Sequence, residues 1–193
     1  MGDFGAERDS LGSFRMSAEH APQQISPPLE PRIRLEEPNA GDGREMWRIA
    51  RDSAALDVNS PYSYLLWCRD FAATSVVTRD LGNGGGIAGF ITGYVRPESA
   101  NTQFVWQVAV DHPYRGHGLA KRMLDHLSDR MVNRTRGHGY LEATVTPDNT
   151  PSSRLFEAFA RDRGAALERR TLFTQEQFPE GHRPEVLFRI GPL

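Results

Sequence analysis

The stretch from residue 106 to residue 120 has the side chains and spacing to bind a phosphate. Val108 and Val110 are β-branched and flank the small Ala109, as in a buried strand, and a proline soon ends that strand. Two glycines then permit a tight turn into a helix with apolar side chains on one face. Free amides and the positive end of the helix dipole meet at such a turn. The residues available to hold the anion are Arg115, Gly116, His117, Gly118, Leu119 and Ala120.

The composition argues against several classes of protein. The chain has 193 residues, enough for a sizeable core, and a net charge of −2, which gives no basic field for nucleic acid. No apolar run is long enough to span a bilayer, and we find no signal peptide. The single cysteine, Cys68, cannot form an internal disulfide, so we expect a cytoplasmic protein. The six histidines show no metal-ligand spacing, and we expect no metal.

The order of the elements predicts an α+β fold. Residues 1–31 combine proline, glycine, serine and charge, so we expect a disordered N-terminal tail, followed by one domain over residues 32–193. Alternating or β-branched runs predict strands, and apolar residues at helical spacing predict helices. Strands are expected at 32–36, 74–78, 87–95, 106–110, 140–146, 166–173 and 185–190, and helices at 41–56, after Pro61, after Gly118 and after Asn149. This order is typical of an α+β layer sandwich.

The loop Arg115-x-x-Gly118-x-Ala120 resembles the pyrophosphate loop of the GNAT superfamily of N-acetyltransferases. The resemblance implies that the loop amides hold acetyl-CoA as co-substrate. It also implies a GNAT-like α/β/α sandwich whose mixed, mostly antiparallel sheet is splayed at the acetyl-CoA site. By the same analogy, an amide within residues 108–110 faces the thioester oxygen, where negative charge develops. Asn149 is a candidate to hold the pantetheine chain, and its type equally fits a helix cap.

Four separated blocks are similar to a narrower family, the L-2,4-diaminobutyrate acetyltransferases of ectoine biosynthesis. The blocks are LDVNSPYSY at 56–64, WQVAV at 106–110, EATVTPDN at 142–149, and the pattern Gly181-His182-x-x-Glu185. The similarity runs from about Arg32 to Ile190. It implies acetyl transfer to the γ-amine of L-2,4-diaminobutyrate and a homodimer. The acceptor pocket that it implies contains Asp57, Trp106, His182 and Glu185.

The chemistry of a small diamine with one carboxylate fits these residue types. Ammonium groups need acidic partners, which Asp57 and Glu185 can supply. The aromatic residues Tyr62, Tyr64 and Trp106 offer a wall with cation–π capacity. Plainer roles stay open, because Asp57 also fits a turn cap and Trp106 an ordinary core position.

The residue types do not decide which groups act as the base and the acid of the reaction. The attacking ammonium must lose a proton, and we expect Glu185 to accept it, with Asp57 and His182 as the other candidates. Family members often place a tyrosine acid where this chain has Phe156, so the acid for the leaving thiolate is not assigned. The alternative functions are an acetyltransferase for another small diamine, a polyamine or a protein N-terminus, and a non-catalytic CoA-binding module.

Overall fold

A seven-stranded sheet organises the part of the chain that the structure describes, residues 32–53, 56–179 and 181–193 of a computed structural model. The strands are β1 (Ile33–Glu36), β2 (Val76–Asp80), β3 (Gly86–Arg96), β4 (Ser99–Val110), β5 (Tyr140–Val145), β6 (Leu167–Phe173) and β7 (Glu185–Ile190). Their order across the sheet is β1-β2-β3-β4-β5-β7-β6. Within this sheet, β4 and β5 are parallel and the other neighbours are antiparallel. The expected mixed, mostly antiparallel sheet is confirmed.

Helices cover both faces of the sheet. They are α1 (Gly43–Asp52), α2 (Pro61–Asp70), α3 (Leu119–Thr135) and α4 (Thr150–Asp162). Val77 packs in one core with the apolar side chains of α1 and α2, while its neighbour Val76 packs in a second core with those of α3 and α4. Successive side chains of a strand point to opposite faces, so the two helix pairs lie on opposite sides. The predicted α/β/α layering is confirmed.

The strand β4 differs most from the sequence prediction. It begins at Ser99, whereas the sequence pattern predicts a strand only from Trp106 onward. The polar run Asn101-Thr102-Gln103 obscured the first half, yet Thr102 and Gln103 are buried, and the Gln103 side-chain amide donates to the Thr74 carbonyl (3.1 Å). Pairing with β3 and β5 on both sides therefore supports this half of the strand more than its own propensity does.

Some predicted segments extend past what the structure describes. The helix predicted for 41–56 ends at Asp52, and residues 54 and 55 lie outside the described part. The prediction of a disordered tail over 1–31 also concerns residues outside it. None of the helices in the described ranges is both long and apolar enough to cross a membrane.

A β-bulge divides β4 at Trp106. Thr92 of β3 lies opposite Gln107 and Gly93 lies opposite Val105, so Trp106 is the extra residue. The bulge reverses the alternation of side chains along the strand. Val105 therefore packs with α3 and α4, whereas Ala109, although also odd-numbered, packs with α1 and α2.

The sheet opens just after this bulge. The parallel pairing of β4 with β5 runs from Thr102 to Val105 and then stops, while β4 stays paired with β3 as far as Val110. On its β5 side, the second half of β4 consequently has no strand partner. This gap is the splay that the sequence led us to expect.

The core under α3 and α4 should respond strongly to loss of a ring. Phe159 is fully buried there, so Phe159→Ala is expected to lower the free energy of unfolding by about 3–5 kcal/mol. Denaturant unfolding measures this change. Leu81→Ala, at an exposed position, is the control and should change it by less than about 0.5 kcal/mol. Equal effects of the two variants would contradict the placement of this core.

Candidate active site

A cavity of about 810 Å³ lies on the side of the sheet opposite α3 and α4. Glu185 and Leu187 of β7 line it, whereas the intervening Val186 and the next residue, Phe188, pack toward α3 and α4. Two loops form its walls: the one that enters α2 contributes Asp57, and the one that follows β6 contributes His182. The cavity therefore sits where the sheet opens and where α1 and α2 do not cover it.

The four acceptor residues inferred from the sequence come together here. Asp57, Trp106, His182 and Glu185 all line the cavity. The Nε2 atom of His182 lies 3.5 Å from the Asp57 carboxylate, so the two loops meet across the cavity. The His182 ring also stacks on Phe178, with ring centroids 3.9 Å apart. Trp106 is half exposed into this space because the bulge turns it out of the sheet.

The two tyrosines expected in the aromatic wall lie elsewhere. Tyr64 is buried in the core, edge-on to Phe90, and Tyr62 is 65% exposed on α2 and does not line the cavity. Residues two apart on a helix do not share a face, so α2 cannot present both side chains to one site. The aromatic residues that do line the cavity, besides Trp106, are Tyr94, Phe104, Phe173 and Phe178.

The Glu185 carboxyl occupies an environment suited to a base. Burial raises its pKa above the ordinary value for glutamate, and the negative charge of Asp57 raises it further. The Thr144 hydroxyl and the nearby His182 act in the opposite direction without reversing the shift. A carboxylate with a raised pKa holds a proton more strongly, which favours proton transfer from an ammonium group.

A hydrogen-bond chain that the sequence did not reveal holds Asp57 in place. The Tyr64 hydroxyl donates to the Gln107 side-chain carbonyl (3.1 Å), and the Gln107 amide donates to the backbone carbonyl of Asp57 (2.9 Å). Tyr64 therefore supports the loop that carries Asp57 and does not line the cavity. The signal available in the sequence was Gln107 itself, a polar residue within a strand of buried apolar residues.

A second feature that the sequence did not reveal is a buried carboxylate in the cavity lining. Glu142 is only 2% exposed, and its two oxygens pair with Arg96 (3.2 Å) and Arg189 (2.5 Å). A buried carboxylate without cations would be costly, so the two arginines are what allow it here. Arg189 also lies over the Tyr140 ring, 4.1 Å from its centroid. A glutamate inside the apolar strand β5 was the available signal.

The predicted anion loop has the geometry that its glycines require. Gly116 and Gly118 adopt φ of 82° and 69°, a region that side chains disfavour, and Gly118 is the N-cap of α3. A Cβ at either glycine would meet no atom within 4 Å, so the approach to their backbone is open. The first amides of α3, from Leu119 and Ala120 onward, have no acceptor within the helix. These features fit a pyrophosphate.

The other residues predicted for the acetyl-CoA site differ in their contacts: some are hydrogen-bonded and some pack against the cores. Arg115 turns back, and its Nε donates to the Val110 carbonyl (3.1 Å), while the His117 ring contacts the carbonyl of Arg115 (3.0 Å). The side chains of Val108, Ala109 and Val110 pack against the two cores, and their backbone is available to a ligand on the side of β5. Asn149 caps α4 by accepting from the Ser152 amide (3.1 Å), and it also lines the cavity.

Phe156 belongs to the core and not to the cavity. It is buried against Phe188, with ring centroids 6.1 Å apart, so a hydroxyl at this position would point into apolar side chains. Among the described residues, no group of three or more histidine, cysteine or acidic side chains has the arrangement to hold a metal ion.

The splayed sheet and the phosphate-loop geometry fit an acyltransferase, and comparison with known proteins shows the family. Residues 43–160 match the model of the acetyltransferase (GNAT) family. The chain is 61% identical over 163 residues to an L-2,4-diaminobutyric acid acetyltransferase of Streptomyces coelicolor, covering 83% of this chain and 94% of that protein. It is 52% identical over 180 residues to an enzyme of the same name from Streptomyces avermitilis, covering 92% and 99%. The chain belongs to the GNAT family of acetyltransferases and, within it, to the diaminobutyrate acetyltransferases.

A solved structure supports the same assignment. It is the diaminobutyrate acetyltransferase EctA from Paenibacillus lautus, in complex with its substrate L-2,4-diaminobutyric acid and coenzyme A. That protein is 37% identical to this chain, with a TM-score of 0.75, and the match covers 84% of this chain and 96% of that one. The GNAT fold expected from the glycine loop is therefore confirmed.

The electrostatics of the cavity can be tested directly. The side-chain carboxyl of Glu185 should titrate above the usual glutamate pKa of about 4.3, measured by carbon NMR on labelled protein. Asp57→Asn should lower that pKa, because removing a like charge favours the ionised form. Asp162→Asn, on the surface of α4, is the matched control and should leave it unchanged. A pKa that stays constant or rises in Asp57→Asn would contradict the proposed interaction.

Proposed function

We propose that this protein transfers the acetyl group of acetyl-CoA to the γ-amine of L-2,4-diaminobutyrate, giving N-γ-acetyl-L-2,4-diaminobutyrate for ectoine biosynthesis. The observation that carries the proposal is the placement of Glu185, a carboxyl of raised pKa, in a cavity beside the open part of the sheet. The relatives named above support the proposal, because they belong to the same family and their matches cover most of this chain.

The donor side of the reaction depends on backbone groups. Acetyl-CoA supplies the acetyl group as a thioester. The open turn at Gly116 and Gly118, with the first amides of α3, is the place for its pyrophosphate, because unpaired amides and the helix dipole favour anions. The unpaired edge of β4 over residues 106–110 leaves room and hydrogen-bonding groups for the pantetheine arm. A backbone amide of Val108 to Val110 is the candidate to stabilise charge on the carbonyl oxygen.

The acceptor side depends on two carboxylates at different depths. Glu185 is partly buried beside Thr144 and takes the proton that the γ-ammonium must lose before its nitrogen can attack. The Asp57 side chain is 95% exposed at the mouth of the cavity and pairs with the α-ammonium that the product retains. His182, between them, orients Asp57 and adds positive charge when protonated. Trp106 supplies an aromatic face for the ammonium groups.

We also infer a cytoplasmic homodimer. The edge strand β6 offers a free ladder edge in the described sheet for pairing of subunits, and it ends at the exposed Phe173. Tyr62 and Leu65 of α2 form another exposed apolar surface that a partner could cover. A buried thiol at Cys68 with no disulfide partner fits a reducing compartment.

The proposed reaction is tested with purified protein, acetyl-CoA and a panel of amines. Coenzyme A release should be fastest with L-2,4-diaminobutyrate, and L-ornithine, L-lysine and spermidine should lose at least about tenfold in kcat/KM, because each misplaces the second charged group. Mass spectrometry of the product should locate the acetyl group on the γ-nitrogen. Turnover of spermidine above diaminobutyrate would favour a polyamine acetyltransferase, and coenzyme A binding with no turnover would favour a binding module.

A further inference from the structure

The charges that line the cavity are largely paired with one another. Glu142 pairs with Arg96 (3.2 Å), and Arg183 lies 3.9 Å from the Asp148 carboxylate. His182 faces Asp57. Among the arginines of the lining, Arg170 is the exception, because no carboxylate of the described residues lies within ion-pair distance of it.

The sheet register puts Arg170 on the same face as the base. Thr144 of β5 lies opposite Leu187 of β7, and Leu187 lies opposite Arg170 of β6, so the three side chains form one row across the cavity floor. Glu185 is two residues from Leu187 and projects from the same face. Glu185 pairs with Phe173 beyond a β-bulge in β6, so Glu185 and Arg170 lie diagonally across β7 and β6 near that bulge, close enough for long side chains to hold a small ligand between them.

The order of the strands places Glu185 nearer than Arg170 to the gap in the sheet. The gap in the sheet lies between β4 and β5, Glu185 stands on β7 next to β5, and Arg170 stands on the outer strand β6. An acceptor whose reacting amine is held by Glu185 on the gap side can therefore extend its other end toward Arg170. In an amino-acid diamine, that end carries a carboxylate.

We propose that Arg170 binds the α-carboxylate of the acceptor and so makes the enzyme select an amino-acid diamine over a simple diamine. This inference rests on the proposed function. A guanidinium presents paired N–H donors that match the two oxygens of a carboxylate, and an arginine without an internal partner can make that contact without first breaking another one. Asp57 and Glu185 pair with the ammonium groups, which a simple diamine also has, whereas Arg170 binds the acid group, which a simple diamine lacks.

The test compares L-2,4-diaminobutyrate with 1,3-diaminopropane, which has the same two amines and no carboxylate. Binding of each compound to the enzyme–coenzyme A complex is measured by calorimetry, and turnover with acetyl-CoA is measured alongside. The wild type should prefer diaminobutyrate. Arg170→Gln should weaken diaminobutyrate binding roughly ten- to a hundredfold, the range expected for a lost charge-assisted hydrogen bond, and leave diaminopropane binding within about twofold.

The neighbouring arginine provides a matched control. Arg169 points to the other face of β6, where it pairs with Glu157 and lies over the Phe188 ring, so Arg169→Gln should leave both affinities unchanged. Arg170→Lys should recover only part of the preference, because an ammonium lacks the planar fork.

Each outcome has a distinct meaning. Equal weakening of both ligands by Arg170→Gln, or no weakening, would overturn the assignment of Arg170 even if diaminobutyrate is a good substrate. A wild type that binds diaminobutyrate no better than diaminopropane would overturn it too. Absence of acetyl transfer to diaminobutyrate by the wild type would instead overturn the proposed function, and the role of Arg170 would still be decided by the two binding constants.

Discussion

The loss of pairing between β4 and β5 is the constraint on which the rest of this site depends. Up to Val105 the two strands share a parallel ladder, and beyond it β4 follows β3 alone. A continuous sheet would leave no unpaired backbone for a pantetheine arm and no opening beside Glu185. The bulge at Trp106 occurs at the same point, and it both turns the indole toward the cavity and redirects the following residues of β4. The bulge and the end of the β4–β5 ladder thus coincide at one point of β4.

Two carboxylates that line the cavity lie in different charge environments. Glu185 is partly removed from water, which raises its pKa, while Asp57 stays in solvent at the end of a loop. The loop itself is held from below by Tyr64 and Gln107. Glu142 differs from both, because it is buried and its negative charge is balanced by ion pairs with Arg96 and Arg189. These ion pairs give Glu142 a structural role. Glu185 and Glu142 therefore line one cavity but differ in the charged groups around them.

The parts that could be predicted from sequence are those whose signals are local. The glycine turn before α3 needs positive φ at Gly116 and Gly118, and the pattern of small and apolar residues around it is enough to place it. The four blocks of family resemblance placed Asp57, His182 and Glu185 in one pocket. Polar residues of β4 such as Gln103 gave no strand signal, because their burial depends on contacts with residues far along the chain. The prediction that Tyr62 and Tyr64 line the cavity failed for a similar reason. The rotation of α2 about its axis decides which of the two faces inward, and the nearby apolar residues of α2 are compatible with either orientation.

We propose that Glu185 receives the proton of the attacking amine, and the pH dependence of kcat/KM for diaminobutyrate measures this role. Below its pKa this carboxyl is protonated and cannot act as a base, so the acidic limb of the wild-type profile should lie above the ordinary glutamate range. Glu185→Gln should lower kcat by about 10²–10⁴ and remove that limb, while Glu157→Gln, on α4 across the sheet, should match the wild type. A Glu185→Gln enzyme that keeps both the rate and the limb of the wild type would contradict the account.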